Sequence, residues 1–209
     1  MIAALFFAAA ATTALDAENA FAQDAQRIGQ WTAFRKYADR DAVMFAPQAV
    51  WARDFLMDRK DPARSISWRP LHSFVSCDGR TAVNSGPWYT PKGKLAGYFT
   101  TVWQRGRSGW RWVYDGGVPA PVEKSARSTP AVQRASCTAR APGAPIPPPP
   151  PLTAKQARTT PEDNGRGQSA DKTLGWDWKV APNGSRTLRV YLWTGSRYAP
   201  VINTTDSAP

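Results

Sequence analysis

Two side chains could move a proton in a small-molecule site. His72 is the only histidine among 209 residues, and Asp115 stands in the segment Tyr114-Asp115-Gly116-Gly117. A carboxylate or an imidazole can act as a general acid or base when a dry environment shifts its pKa. Each residue also has an ordinary structural explanation, which we favour: a half-buried histidine bonded to backbone, and a strand-end aspartate that satisfies turn amides. Asp115 and His72 are therefore only acid–base candidates, and the catalytic residues stay unknown.

The familiar catalytic motifs are absent from the sequence. The chain has no GxxxxGK[ST], GxGxxG, GxSxG, HExxH or paired CxxC segment. Walker-type nucleotide hydrolysis, Rossmann cofactor binding and the common metallopeptidase mechanisms are therefore excluded. One histidine and two cysteines are too few for a closed His/Cys zinc site. We expect neither a metal nor a cofactor.

The start of the chain and its cysteines bear on its location. Residues 1–14 are almost wholly apolar and uncharged, too short to span a bilayer but typical of the apolar region of a secretory signal. The alternative is an apolar extension of the first helix. Export would make a disulfide between Cys77 and Cys137 the natural expectation, and two inert thiols the alternative. We expect a periplasmic or secreted protein with no integral membrane segment after processing.

The net charge of +11 raises the question of a nucleic-acid partner. Residues 1–117 contain 15 Lys and Arg against 10 Asp and Glu, which gives +5 and leaves +6 for residues 118–209. The excess is spread along the chain and forms no basic run. A general attraction to anions follows, without a binding stripe, so we expect no specific nucleic-acid partner.

One helix and four strands are expected to position the candidate residues. The helix is long and amphipathic and ends near Ala38, with Gly29 loosening its middle. Strand-like segments follow at 66–77, 80–89, 97–105 and 110–115. The Asp78-Gly79 dipeptide is typical of a two-residue hairpin turn, which would set His72 opposite Ser85. The short connections indicate an antiparallel meander.

The composition changes abruptly after this region. Residues 118–170 are rich in Pro, Ala and Ser, contain no aromatic residue and include five consecutive prolines at 147–151. Such a segment favours extended polyproline II structure and is typical of a semi-rigid linker. Alternating apolar residues return at 171–205 and predict a small β-meander. A meander of this size is marginal alone, so we expect it to pack on the main sheet.

The runs AENAFAQDAQRIGQWTAFRKYADRDAVMFAPQAV and GYFTTVWQRGRSGWRWVYDGG resemble the SnoaL-like branch of the nuclear transport factor 2-like superfamily, over about residues 16–117. The similarity is to uncharacterised exported bacterial members. It implies an α+β fold in which a cone-like, curved antiparallel sheet is wrapped on the long N-terminal helix, with a pocket at the wide end. The superfamily contains isomerases, dehydratases, cyclases and non-catalytic binders. This sequence lacks an evident match to the Asp/His dyads of its enzymes.

Strand alternation predicts which face of the sheet lines the pocket. The simplest register places one set of residues on that face: His72, Phe74, Val83, Ser85, Phe99, Thr101, Trp103, Val113 and Asp115. From these and the segment after the helix we take as ligand-pocket residues Ser85, Phe99, Thr101 and Asp115, with Arg53 near the mouth. The opposite face would carry Tyr98, Val102, Trp110, Trp112 and Tyr114. We expect the C-terminal meander to cover that face in a monomer, with a homodimer as the alternative.

These expectations combine into one functional hypothesis and two alternatives. The hypothesis is an exported, non-catalytic protein that binds a small, partly apolar molecule. The first alternative is a small isomerase or lyase that uses Asp115 or His72 as acid or base. The second is an interaction module that presents the polyproline segment and a basic surface to envelope partners.

Overall fold

A computed structural model gives the fold of residues 12–120, 129–145 and 163–206. Within these residues the strands form a main sheet of eight strands and a second sheet of four. The chain is therefore α+β, as expected, with a large, mixed and curved main sheet. The elements, in chain order, are α1 (Ala14–Arg27), α2 (Gln30–Tyr37), β1 (Ala38–Phe45), β2 (Ala49–Trp51), α3 (Ala52–Leu56), β3 (Ser67–Trp68), β4 (His72–Val75), β5 (Thr81–Tyr89), β6 (Leu95–Gly106), β7 (Gly109–Pro119), β8 (Ala131–Arg134), β9 (Asn164–Gln168), β10 (Leu174–Val180), β11 (Arg186–Trp193) and β12 (Tyr198–Asp206).

The prediction of one long N-terminal helix is wrong, because the helix is interrupted at Gly29 and continues as a second helix from Gln30. This glycine has a φ of 106°, a conformation that residues with a side chain rarely adopt. A Cβ atom there would lie 2.3 Å from the carboxylate of Asp61. That carboxylate accepts hydrogen bonds from the backbone N–H and the hydroxyl of Thr32 and so holds the start of α2. Among the described residues no helix has both the length and the apolar character needed to cross a membrane.

The main sheet has the strand order β2-β1-β7-β6-β5-β4-β8, with β3 paired on β5. Its centre is the expected antiparallel meander, and the turn at Asp78-Gly79 gives the predicted pairing of His72 with Ser85. Two pairs near the edges are parallel, β1 with β7 and β8 with β4. The sheet is mixed, and not wholly antiparallel, because segments distant in sequence join it on both sides.

Part of the segment expected to be a linker is sheet. Strand β8 pairs with β4, and Cys137 just after it bonds to Cys77 with an S–S distance of 2.03 Å and a Cα separation of 5.3 Å, so the predicted disulfide is confirmed. Strand β9 adds a fourth strand to the C-terminal meander. Both strands are short and lack alternation of apolar and polar residues, so no pattern indicated them. The polyproline run 147–151 lies outside the described residues.

The two faces of the main sheet contact different partners. On one face lies the helix-side core, in which Phe21 and Phe34 pack against Trp68 and Trp103. On the other face the second sheet packs its buried side chains against the main sheet. That second-sheet core contains Val43, Val83, Val102 and Tyr114 from the main sheet and Leu174, Trp176, Trp178, Val180, Leu188, Val190, Leu192 and Trp193 from the C-terminal strands.

Strand β9 closes the second sheet with glycines. Gly165 and Gly167 pair with Trp178 and Trp176, and a Cβ atom on Gly167 would lie 2.1 Å from the Trp176 ring. The indole rings therefore fill the space that side chains would take on the edge strand. This close approach lets two tryptophans remain buried in a sheet of only four strands.

The predicted assignment of residues to faces is wrong for part of the sheet. Strand β5 pairs Ser85 with Thr100, so His72, Phe74, Val83 and Ser85 lie on the face opposite to Phe99 and Thr101. A bulge between Val102 and Trp103 leaves Val113 without a partner on β6. This extra residue inverts the alternation of β7. Trp110 and Trp112 consequently belong to the helix-side core, while Val113 packs against the second-sheet core.

Candidate ligand-binding site

A cavity of about 340 Å³ opens between the helix side of the main sheet and the end of the second sheet. Its volume lies at the lower end of the range typical of small-molecule sites. Most of the wall is aromatic or aliphatic, and three charged side chains interrupt it: Asp115, Arg186 and Asp206. The other lining residues are Phe34, Met44, Phe45, Pro47, Ile66, Trp68, Trp88, Phe99, Gly116, Gly117, Pro119 and Gly184.

Asp115 is the carboxylate of the main sheet in this cavity. It lies on β7 directly opposite Thr101 on β6, and the Thr101 hydroxyl donates to Asp115 Oδ2 at 2.9 Å. Burial raises the pKa of Asp115 to about 6, while the Thr101 hydrogen bond and the charge of Arg186 act in the opposite direction. Asp115 is therefore mostly ionised at pH 7 and gains a proton in mildly acidic solution.

The second sheet supplies the other two charged groups. Arg186 begins β11, is 8% exposed and donates from Nη2 to the backbone oxygen of Gly117. The same Nη2 lies 3.7 Å from Oδ2 of Asp206 on β12. The guanidinium group also stacks on the Phe45 ring, with its carbon 4.2 Å from the ring centroid. Burial raises the pKa of Asp206, and Arg186 opposes that shift.

A second buried carboxyl lies behind the aromatic wall. Glu18 on α1 is 0% exposed, and its two oxygens accept hydrogen bonds from the indole N–H groups of Trp68 at 2.8 Å and Trp103 at 2.6 Å. The amide of Asn84 donates to it as well, at 3.3 Å. Burial raises the pKa of Glu18 to about 8, and the negative charge of Asp115 acts in the same direction. Because Trp68 lines the cavity, Glu18 fixes the orientation of one of its walls.

The sequence-based site residues divide into two groups. Asp115 and Phe99 line the cavity, and Thr101 contacts it through Asp115. Ser85 was expected in the pocket and is not: it lies on the other face, where its hydroxyl donates to the backbone oxygen of Phe99. Arg53 is not part of the cavity wall, and its half-exposed side chain pairs with neighbouring Asp54 at 3.2 Å; a place near the mouth stays a prediction.

His72 is separated from the cavity as well. Its side chain is exposed on the same face as Ser85 and stacks on Phe74 with the ring centroids 6.3 Å apart. The histidine therefore cannot share a substrate with Asp115. Of the two acid–base candidates, Asp115 alone lies in the cavity.

Sequence reasoning missed Glu18, Arg186 and Asp206. A signal for Glu18 was present, since it falls on the helical stripe of Ala14, Phe21 and Ala25, where an acidic residue must be buried. No comparable signal identifies Arg186 or Asp206, because their role depends on how the second sheet docks. Within the described parts of the chain no group of three or more His, Cys, Asp or Glu side chains could hold a metal ion.

Comparisons with known proteins add little to this geometry. No family model matches the chain, and no curated protein matches it. Among solved structures, one similar chain is a protein from Novosphingobium aromaticivorans provisionally named an aromatic ring hydroxylase. The two chains are 14% identical, the match covers 50% of this chain and 85% of the other, and the TM-score is 0.36. A likeness of this size gives no information about the ligand or the reaction.

Proposed function

We propose that the protein binds a small, partly apolar molecule in the cavity at Asp115 and that this binding is not catalytic. The observation that carries the proposal is the wall itself: aromatic and aliphatic side chains enclose about 340 Å³ around one carboxylate of the main sheet. Apolar surface with a few convergent polar groups is what a small-ligand site requires. Flat rings suit these walls, because aromatic side chains pair edge-to-face or offset with other rings.

The proposed family is the SnoaL-like branch of the nuclear transport factor 2-like superfamily. Its support is a curved sheet with helices α1 and α2 against one face and a cavity on that side. The sequence resemblance implies such a sheet and cavity, but with one long helix and a wholly antiparallel sheet, where this chain has two helices and a mixed sheet. Within it, the second sheet covers the face that carries Val102 and Tyr114.

The proposed location is the periplasm or the exterior of the cell, with the chain as a monomer. The Cys77–Cys137 disulfide supports an oxidising compartment. The covered apolar face supports a monomer, because among the described residues the large exposed apolar side chains are only Met57 and Val132. The signal segment 1–14 lies almost wholly outside the described residues, and both it and an envelope interaction role for 147–151 stay predictions.

Filling the cavity with a larger side chain should weaken binding of a small molecule. Ile66→Trp adds an indole ring to the wall and should weaken binding of the neutral fluorophore N-phenyl-1-naphthylamine at least about tenfold, since probe and ring would compete for one volume. Fluorescence titration of the purified mature protein measures the dissociation constant. Native mass spectrometry of the same sample would reveal a co-purified natural ligand.

The matched control places the same ring outside the site. Met57 is 64% exposed, so Met57→Trp enlarges a surface side chain without reaching the cavity and should leave probe binding unchanged. Equal affinities for the native protein and the Ile66→Trp variant would place the probe elsewhere and contradict the proposal. Absence of any probe binding to the native protein would contradict it too.

A second candidate function is general base catalysis by Asp115. The specific observation is that this carboxylate lies in an apolar cavity with its pKa raised to about 6, so it is ionised and poorly solvated at neutral pH. Such a group can remove a proton from carbon, as an isomerase or lyase requires. The indicated partner is then a ring compound with an acidic C–H bond.

Elimination of 5-nitrobenzisoxazole tests this candidate, because the reaction needs only a base: the C–H proton passes to the carboxylate as the ring N–O bond breaks. The rate should rise with pH through about 6, where Asp115 becomes ionised. Asp115→Asn should lower it about 100-fold. Exposed Asp54 provides the control, since Asp54→Asn should change nothing. A native rate equal to that of the Asp115→Asn variant would eliminate the candidate.

A further inference from the structure

The cavity contains a cation that neither the helices nor the main sheet provides. Arg186 comes from the second sheet, so the C-terminal strands both cover the main sheet and complete the wall of the cavity. The backbone contact from its Nη2 to Gly117 ties the second sheet to β7 two residues after Asp115. Arg186 and Asp115 are therefore held on elements that are fixed to each other.

Its contacts with the described residues leave part of the hydrogen-bonding capacity of Arg186 unused. A guanidinium group has five N–H donors, arranged as a fork that matches a carboxylate. Both contacts to oxygen, with Gly117 and Asp206, involve Nη2, so neither satisfies the N–H groups of Nε and Nη1. The ion pair with Asp206 spans 3.7 Å, longer than a hydrogen bond. The side chain is only 8% exposed, so a ligand that enters the cavity can reach these N–H groups where little bulk solvent does.

A matching ligand would accept hydrogen bonds from the Arg186 guanidinium group and would fill a cavity with aromatic walls. We propose that the natural ligand is a small organic acid, an aromatic or alicyclic ring with one carboxylate, bound with its ring in the cavity and its carboxylate on Arg186. This inference rests on the proposed function and names its ligand class. Bidentate pairing with arginine is the strongest recognition that a carboxylate has in proteins.

Charge elsewhere in the molecule agrees with an acidic ligand. The chain has a net charge of +11, which attracts small anions over its whole surface. Two carboxylates in the cavity, Asp115 and Asp206, oppose an anion when both are ionised. Asp206 already neutralises Arg186 in part, so an entering carboxylate would compete with Asp206 for the guanidinium. Asp115 would accept a proton as the anion enters.

Three naphthalene derivatives of nearly equal size and different charge test whether the site prefers an anion, a neutral molecule or a cation. Displacement of N-phenyl-1-naphthylamine should show 2-naphthoate binding about tenfold more tightly than neutral 2-naphthamide, because a charge-assisted pair with arginine exceeds a neutral one. Cationic 2-naphthylmethylamine should bind more weakly than the amide. Arg186→Gln should bring the ratio of naphthoate to naphthamide affinity to about one, and a cooperative urea unfolding transition shows that the variant is folded.

Two further variants complete the design. Arg186→Lys keeps the charge without the fork and should keep only part of the preference, and it replaces Arg186→Gln if that variant does not fold. Lys179→Gln removes one positive charge from an exposed position of the same sheet and should leave the preference intact. Equal binding of naphthoate and naphthamide by the native protein would overturn the ligand class while leaving the proposed function standing. If the neutral probe does not bind at all, the proposed function fails first.

Discussion

Replacing Glu18 by alanine is expected to destabilise the protein by about 3–5 kcal/mol at pH 5, since the variant buries two indole N–H groups without partners at about 1–3 kcal/mol each and leaves a cavity. Both indoles, on Trp68 and Trp103, now donate to this single carboxyl. The difference in free energy of unfolding between the native protein and the Glu18→Ala variant should become smaller as the pH rises. Its pH dependence distinguishes a titrating buried acid from a group that only fills space.

The direction of this pH effect follows from the pKa of Glu18, which burial raises from 4.5 to about 8. Between those values the unfolded chain has lost the proton and the folded chain has kept it. Protons therefore favour the folded state, and the contribution of Glu18 to stability is full below pH 4.5 and declines until pH 8. One proton changes the free energy of unfolding by up to about 1.4 kcal/mol per pH unit.

Urea unfolding of the native protein and the Glu18→Ala variant at pH 5 to 9 measures the difference. Asp115 titrates near pH 6, so the interval from pH 6.5 to 8 reports mainly on Glu18. Glu18→Gln is the matched control: it keeps the size and one acceptor but cannot titrate, so its loss should be smaller at pH 5. A difference between native and alanine variant that does not change with pH would contradict the raised pKa. A negligible loss at pH 5 would contradict the hydrogen-bond network.

Asp115 lies in the cavity as predicted and Ser85 does not, and this contrast shows which strand pairings of the fold the sequence predicts. The Asp78-Gly79 turn determines the pairing of β4 with β5 locally, and that register was predictable. The pairing of β5 with β6 depends on a longer turn, and the pairing of β6 with β7 depends on the bulge at Val113. No residue type in the sequence predicts that bulge. A single extra residue exchanges the two faces of a strand. Thr101 and Asp115 stayed together because both lie on the same side of that bulge.

The charged groups missed from the sequence were missed for different physical reasons. Glu18 lies near the start of α1, where an acidic residue is favourable even when it is exposed, so its type alone does not indicate burial. Its actual partners come from strands 50 and 85 residues further on. Arg186 required knowledge of where a separate sheet docks, and docking depends on the fit of two complete surfaces. Residues that complete a site from another layer are therefore the hardest to predict.

Breaking the Cys77–Cys137 disulfide is expected to lower the free energy of unfolding by about 4 kcal/mol, the chain-entropy value for a loop closed across 60 residues. The bond lies where three elements meet. The backbone N–H of Cys77 donates to the Thr173 hydroxyl, and that of Ser136 donates to the Trp193 oxygen, so the bridge adjoins contacts from β4 and β8 to the second sheet. These hydrogen bonds should persist after reduction, because most of the second-sheet core consists of side chains other than the two cysteines.

Denaturant unfolding with and without reductant measures this loss, and the double variant Cys77→Ser with Cys137→Ser controls for effects of the reductant itself. The double variant should unfold at the denaturant concentration of the reduced native protein and should not respond to reductant. Labelling of thiols in the folded native protein should be negligible before reduction, since both cysteines are bonded. If the double variant is as stable as the oxidised protein, the bridge does not constrain the unfolded chain, and the pairing of β8 with β4 together with the second-sheet contacts holds residues 131–137 in place.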